Sequence, residues 1–255
     1  MASLKAYIKN LTPKSVLAWR ANYLERRRRK EFQGLATPKD TFTKVYDGGC
    51  WGRSKERGEK YYSGSGSHRS ELVERYVSAV SGFLQSLDHK PDAVDLGCGD
   101  FAVSTRLRPF CGKFVAADVV EGLIERNKSR FENDGVDFRV VDIVNDDLPE
   151  GEVVFLRQVL QHLSNSDIAL VVPKLSAKFR FLVLSEHLPL SDGFVPNLDK
   201  ARGPDTRINA GKVGSGVILT DQPFNLRVKR TTVLCEVLQD LSEVKGVVRT
   251  ILYEL

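Results

Sequence analysis

Apolar residues fall into two kinds of pattern along this 255-residue chain. Short unbroken runs read as strands buried on both faces, and longer stretches with apolar positions three and four apart read as amphipathic helices. Runs of the first kind are Ala93-Val94-Asp95-Leu96, Lys113 to Ala117 ending in Asp118, Phe138 to Val141, Val153 to Leu156 and Phe179 to Leu184. The second kind is clearest from Glu71 to Leu87, where Leu72, Val73, Tyr76, Val77, Val80, Phe83 and Leu84 form one stripe and Ser67 or Ser70 can cap the start. Val103 to Leu107 reads as the start of another helix, and Asp167 to Ser176 as a third, shortened or kinked by Pro173. Strand and helix alternate from residue 92 to about 195, which predicts an α/β fold with parallel strands and right-handed crossovers. Val217 to Thr220 and Val247 to Tyr253 read as closing strands, with Thr232 to Leu241 helical between them.

The flanks follow other rules. Residues 1–33 carry Leu4, Tyr7, Ile8, Leu11, Val16, Leu17, Trp19, Tyr23 and Leu24 among basic residues, a basic amphipathic helical extension. Residues 34–69 form a linker followed by an aromatic and Gly/Ser-rich cap segment, and residues 70–255 form the main domain. Leu190 to Gly216 is rich in Gly, Pro and Asp, a long loop of the kind that usually serves function.

Chemistry enters at Gly97-Cys98-Gly99. A glycine turn between a strand and the next helix lets a ligand approach the main chain beyond the strand's carboxyl end. Asp118 stands about 20 residues later, where a dinucleotide-type fold places an acid for ribose hydroxyls. Phe101 occupies the position of a third glycine, which suits a nucleoside better than a pyrophosphate.

With Asp95-Leu96-Gly97-Cys98-Gly99, Asp118, Asp142 and Leu156 to Leu163, the chain resembles the class I S-adenosylmethionine-dependent methyltransferases. The resemblance covers about residues 93–190; the flanks are only loosely similar to bacterial members from polysaccharide and natural-product pathways. It implies a Rossmann-like, mostly parallel sheet with an antiparallel last strand, and S-adenosylmethionine as cofactor. Asp118 is then the ribose acid and Asp142 the adenine-contacting acid, with Ile143 against the ring. Asp95 orders the glycine loop and the cofactor's amino end, while Gly97, Cys98, Gly99, Val119 and Arg157 complete the cofactor set.

For the acceptor, His187 beside Glu186 is the better base candidate, because an imidazole near a carboxylate titrates close to working pH. His162 is either a second base or a packing residue. Ser65, Ser67 and His68 either cap the following helix or close over the site. Asn197, Arg202 and Arg207 suit sugar hydroxyls or an anionic acceptor, or belong to a solvated loop. These features predict O-methylation of a small-molecule or glycan acceptor.

Composition trims the alternatives. The net charge of +5 is local: the basic residues of positions 5–30, Arg26-Arg27-Arg28-Arg29-Lys30 among them, exceed the whole surplus. That block reads either as a solvated extension that packs on a neighbouring subunit or frays, or as a tail that docks on an anionic membrane surface or a partner protein. It also raises RNA as an acceptor, which the lack of aromatic and basic interleaving places behind a small molecule. A cofactor-binding scaffold without turnover is the reading from another class. The four cysteines are scattered without a C-x-x-C pair, so neither a metal nor a disulfide framework is expected. No apolar run reaches the ~20 residues of a membrane span, and a cytoplasmic protein is expected, with the tail at the inner membrane face.

Overall fold

The computed structural model describes residues 31–32, 34–54, 59–191, 193–210, 213–239 and 245–255. The chain divides into residues 1–36 and residues 37–255. The helix expected over 2–33, and with it the docking surface, lies outside the described residues apart from Glu31 and Phe32. The second unit carries a seven-stranded sheet.

Its strands are β1 (Ala93–Leu96), β2 (Phe114–Asp118), β3 (Asp137–Val140), β4 (Val153–Arg157), β5 (Phe181–Pro189), β6 (Arg230–Gln239) and β7 (Gly246–Glu254). They lie in the order β3-β2-β1-β4-β5-β7-β6, with β7 antiparallel to both neighbours and the other pairings parallel. Among the described residues of the second unit the α-helices are α1 (Pro38–Asp47), α2 (Ser70–Gln85), α3 (Glu121–Arg130) and α4 (Asn165–Lys178). Among the described residues no helix is long and apolar enough to cross a membrane.

Continuous apolar strands arise because the sheet is covered on both sides, and alternation assigns each residue a face. Val154 and Leu156 of β4 pack with Ile168, Val171 and Leu175 of α4. Val153 and Phe155 face the other way, onto Tyr76, Val80 and Leu84 of α2. Asp95 and Arg157 share the parity of this second face, so both polar groups emerge on the α2 side. The order reverses between β1 and β4, one strand leading left and the other right, and this opens the crevice in which such sheets bind ligands.

Local signals explain most element ends. Thr37 caps α1 by accepting from Asp40 N–H, and Pro38 follows at the first turn. Ser164 and Asp167 form a reciprocal capping box at α4, which continues through Pro173.

The structure corrects four expectations. The helix expected from Val103 is two short 3-10 turns, Ser104–Arg106 and Arg108–Phe110, because Pro109 cannot extend the first hydrogen-bond ladder. The linker expected at the start of 34–69 is short, since Thr37 caps α1 and the helix begins at Pro38. Val217 and Leu219 are buried, but residues 217–220 are not a strand; Leu219 C=O accepts from Leu226 N–H and Ile218 is held by Asn197. Thr232 to Gln239, the described part of the helix expected over 232–241, are not helical: β6 pairs along β7. Val233, Leu234, Val237 and Leu238 have a spacing that suits either state, and the open edge of β7 decides for the strand.

Candidate active site

β1 runs directly into the glycine turn, which is held from three sides. Gly97 (φ +78°) and Gly99 (φ +54°) lie in the left-handed region. A Cβ on Gly97 would come within 2.5 Å of Val159 Cγ2, and one on Gly99 would collide with Ser63 Oγ. Asn127 Nδ2 donates to Gly99 C=O at 2.7 Å. Phe101 also takes a left-handed backbone (φ +61°), at a cost of about 1 kcal/mol or more, offset by a fully buried ring packed on Phe114, Phe131 and Phe138.

Asp118, at the end of β2, accepts from Gly99 N–H at 3.2 Å and from Val120 N–H at 3.1 Å. Burial pushes its carboxyl up to about 6, against the opposing effect of those two amides. Asp142, beyond β3, is pinned by Val144 N–H and Asn145 Nδ2 at 2.9 and 2.8 Å. With Val119, Ile143 and the glycine turn, these two carboxylates form one end of a cavity of about 340 Å³.

Residues 59–69 lie across that cavity as a cap. Ser63 N–H donates to Asp100 Oδ2 at 3.0 Å, and Asp100 N–H returns a bond to Ser63 Oγ at 2.7 Å. Arg157 Nη2 donates to Gly66 C=O at 2.7 Å while its guanidinium lies 5.1 Å from the Tyr76 ring. Glu59 pairs with Arg126 of α3 and, at 3.2 Å, with Arg130. Ser65 and Ser67 line the cavity. His68 does not: it is bonded to Asp100 at 2.7 Å and stacked on Tyr62. Burial raises the Asp100 carboxyl, but the bonds from His68 and Ser63 N–H prevail and hold it below the usual range.

The opposite end is walled by Trp51, His162, His187, Gln161 and Gln239. Trp51 donates from Nε1 to Pro204 C=O at 3.1 Å, and its ring lies 5.2 Å from Tyr46 and 5.0 Å from His162. Burial and then the nearby Lys200 bring His162 down to about 3; burial alone brings His187 down to about 4. Both are neutral imidazoles at physiological pH.

Several expected roles are revised here. Glu186 and His187 are consecutive on β5 and point to opposite faces, so they are not a pair. Glu186 accepts from Leu160 N–H at 3.1 Å and is pushed by burial up to about 8, which makes it a buried structural acid outside the cavity wall. Asn197 ties its loop to Ile218 and Gln222; Arg202 clamps Asp167 through two bonds; Arg207 holds Leu163 C=O and Leu198 C=O. None of these three lines the cavity. Asp95 is buried behind the turn with its carboxyl pushed up to about 7 by burial, and it is likewise off the cavity wall. Arg157 lines the cavity but spends its bonds on the cap. Burial also raises the Cys98 thiol well above its ordinary value, so it packs as a neutral group.

Tyr46, Trp51, Ser63, Gln158, Gln161 and Gln239 were absent from the expected site. Trp51 carried a signal, since Phe42, Tyr46 and Trp51 form an aromatic run; Gln239 carried none.

Comparison with known proteins adds the following. Residues 94–173 match a family model described as a methyltransferase domain. The N-terminal domain of EvdMO1 with S-adenosylhomocysteine bound aligns over 91% of this chain and 96% of its own, at 17% identity and TM-score 0.52. N-methyltransferase NodS from Bradyrhizobium japonicum WM9, in complex with S-adenosylhomocysteine, aligns over 72% of this chain and 88% of its own, at 15% identity and TM-score 0.51. Phosphoethanolamine N-methyltransferase 1 of Haemonchus contortus aligns over 47% of this chain but only 27% of its own length, at 20% identity and TM-score 0.40. No curated protein sequence matches the chain. At these identities the likeness is one of fold.

Proposed function

We propose that this chain, which carries a methyltransferase domain of class I fold, uses S-adenosylmethionine to methylate a hydroxyl of an uncharged, hydroxyl-rich acceptor such as a saccharide. The observation that carries the acceptor half of this reading is electrostatic. Beyond Asp118 and Asp142 the cavity wall has, among the described residues, no formal charge except Arg157, which is committed to the cap. An ammonium or phosphate acceptor would be desolvated there without a partner, at a cost of several kcal/mol. Neutral imidazoles, amides and an indole suit hydroxyls instead.

The cofactor's fit rests on the other end. Asp118 offers a carboxylate for the ribose diol, Val119 and Ile143 an apolar slot, and Asp142 an acceptor for the adenine amino group. The glycine turn brings bare main chain to the cavity wall, since Gly97 and Gly99 both line it. When bound, S-adenosylmethionine supplies an activated methyl group on a cationic sulfur. The remaining tasks belong to the chain. The cap and Trp51 exclude water, and alignment of the acceptor is the main source of rate. His187 takes the hydroxyl proton, which becomes strongly acidic as its oxygen gains the methyl, so an imidazole of low basicity suffices.

Calorimetric titration tests the first half. S-adenosylmethionine should bind and NAD should not, and Asp118→Ala should weaken binding roughly 100-fold by removing charge-assisted bonds to the diol. Transfer of labelled methyl to a panel of methyl glycosides, with primary amines alongside, tests the second. Methylation of amines alone would overturn the hydroxyl reading while leaving the cofactor in place.

A further inference from the structure

Four polar side-chain atoms at the acceptor end are sealed from solvent without a hydrogen-bond partner, Gln161 Oε1 and His162 Nδ1 among them, and two of the four flank β7: His187 Nε2 and Gln239 Oε1. Their residues are 6% and 3% exposed, and both line the cavity. The sheet register brings them together. Gln239 of β6 stands opposite Gly246 of β7, so its side chain rises on the face where a Gly246 side chain would stand, roughly 5 Å away between Cβ positions. That empty place is occupied by the His187 ring from β5: a Cβ on Gly246 would collide with His187 Nε2 and approach Cδ2 at 2.9 Å. Imidazole and amide therefore flank one glycine, with Ile208 Cδ1 also approaching its Cβ position at 3.1 Å, and each holds what the other lacks, a ring N–H and a carbonyl oxygen.

We infer that Gln239 is the positioning residue for His187: its Oε1 accepts the imidazole Nε2–H when the cavity is filled, fixing the tautomer in which Nδ1 keeps its lone pair and takes the acceptor's proton. Bonds of this kind are commonly long before ligand binding and shorten in the complex. Two buried orphan atoms of complementary type each carry a desolvation cost, which closure of the pair relieves. Gly246 is part of the arrangement because any side chain there would displace the ring. The inference rests on the proton-acceptor role proposed for His187, yet its primary test needs neither turnover nor a known acceptor.

That test is nitrogen-15 NMR of the imidazoles in the full chain saturated with S-adenosylhomocysteine. The chain has four histidines, so His187→Asn assigns its signals by difference. The wild type should show His187 with Nε2 protonated and Nδ1 bare. Gln239→Leu, nearly isosteric and one orphan atom poorer, should fold with unchanged S-adenosylhomocysteine affinity and shift the His187 tautomer ratio by roughly tenfold, the worth of one hydrogen bond. Gln239→Glu should restore the tautomer and raise the His187 pKa, because a carboxylate favours imidazolium. A wild-type His187 protonated on Nδ1, or a tautomer ratio indifferent to Gln239→Leu, overturns the inference. With a methylated glycoside in hand, Gln239→Leu should lower kcat with little change in KM. Failure of every glycoside would defeat the acceptor reading and leave the tautomer result standing.

Discussion

Glu186, Asp95 and Asp118 are held by burial at about 8, 7 and 6, all above their unfolded values. The folded protein therefore binds more protons than the unfolded chain as pH rises from about 4 to 8, and each group costs stability at about 1.4 kcal/mol per pH unit until its own folded pKa is passed. His162 and His187, lowered to about 3 and 4, act with the opposite sign: they cost stability as pH falls below the imidazole's ordinary value of 6.5. The two effects oppose each other between about pH 4 and 6.5, and above that only the carboxyls count. Denaturant unfolding should accordingly show stability falling by about 2 kcal/mol between pH 6.5 and 8 through Glu186 alone. Glu186→Gln, which retains an acceptor for Leu160 N–H, should flatten that window; an unchanged slope would count against the burial assigned to this carboxyl. Residues differ in how far the chain announces them. Asp118 and Asp142 follow predicted strands at telling distances and both reach the cavity. The separation of Glu186 from His187 follows from strand alternation and could have been anticipated. The meeting of His187 with Gln239 depends on an antiparallel register, which leaves no mark on spacing.

At the scale of elements, the cap is held to three parts of the sheet layer: Glu59 to α3, Ser63 and His68 to Asp100, and Gly66 to Arg157 at the end of β4. Arg157→Ala removes the last of these and also leaves Tyr76 without its cationic neighbour. Hydrogen exchange over residues 60–68 should quicken, and S-adenosylmethionine affinity should drop roughly tenfold as the loosened segment is ordered on binding. Equal exchange in both proteins would mean that Arg157 does not anchor the cap. Elements were legible where burial was two-sided: β1, β2, β4 and the first half of β5 are mostly apolar and buried on both faces. β6 escaped because it is an edge strand with an exposed face, Leu238 67% exposed, so its pattern is set by pairing rather than by a core. The 3-10 turns after the glycines were misread because a helical beginning carries no sign of how soon Pro109 will stop it.

Across the whole molecule, charge and cavity are divided between the two units. Residues 1–36 hold the basic surplus, whereas every residue lining the cavity lies between Pro38 and Gln239. Removing residues 1–36 should leave S-adenosylmethionine affinity within about twofold, while binding to anionic vesicles, worth about 1 kcal/mol per basic residue near the surface, should disappear. Loss of cofactor binding in the shortened protein would show that the first unit supports the second. Within the second unit Asp118 and Asp142 follow β2 and β3 at one edge of the sheet, and His187, Gln239 and Gly246 lie on the β5-β7-β6 end. On the proposed reading, exchanging residues 230–255 between relatives of this fold would replace Gln239 and Gly246 beside His187 while leaving Asp118 and Asp142 in place, so one part of the acceptor wall can vary under an unchanged methyl donor.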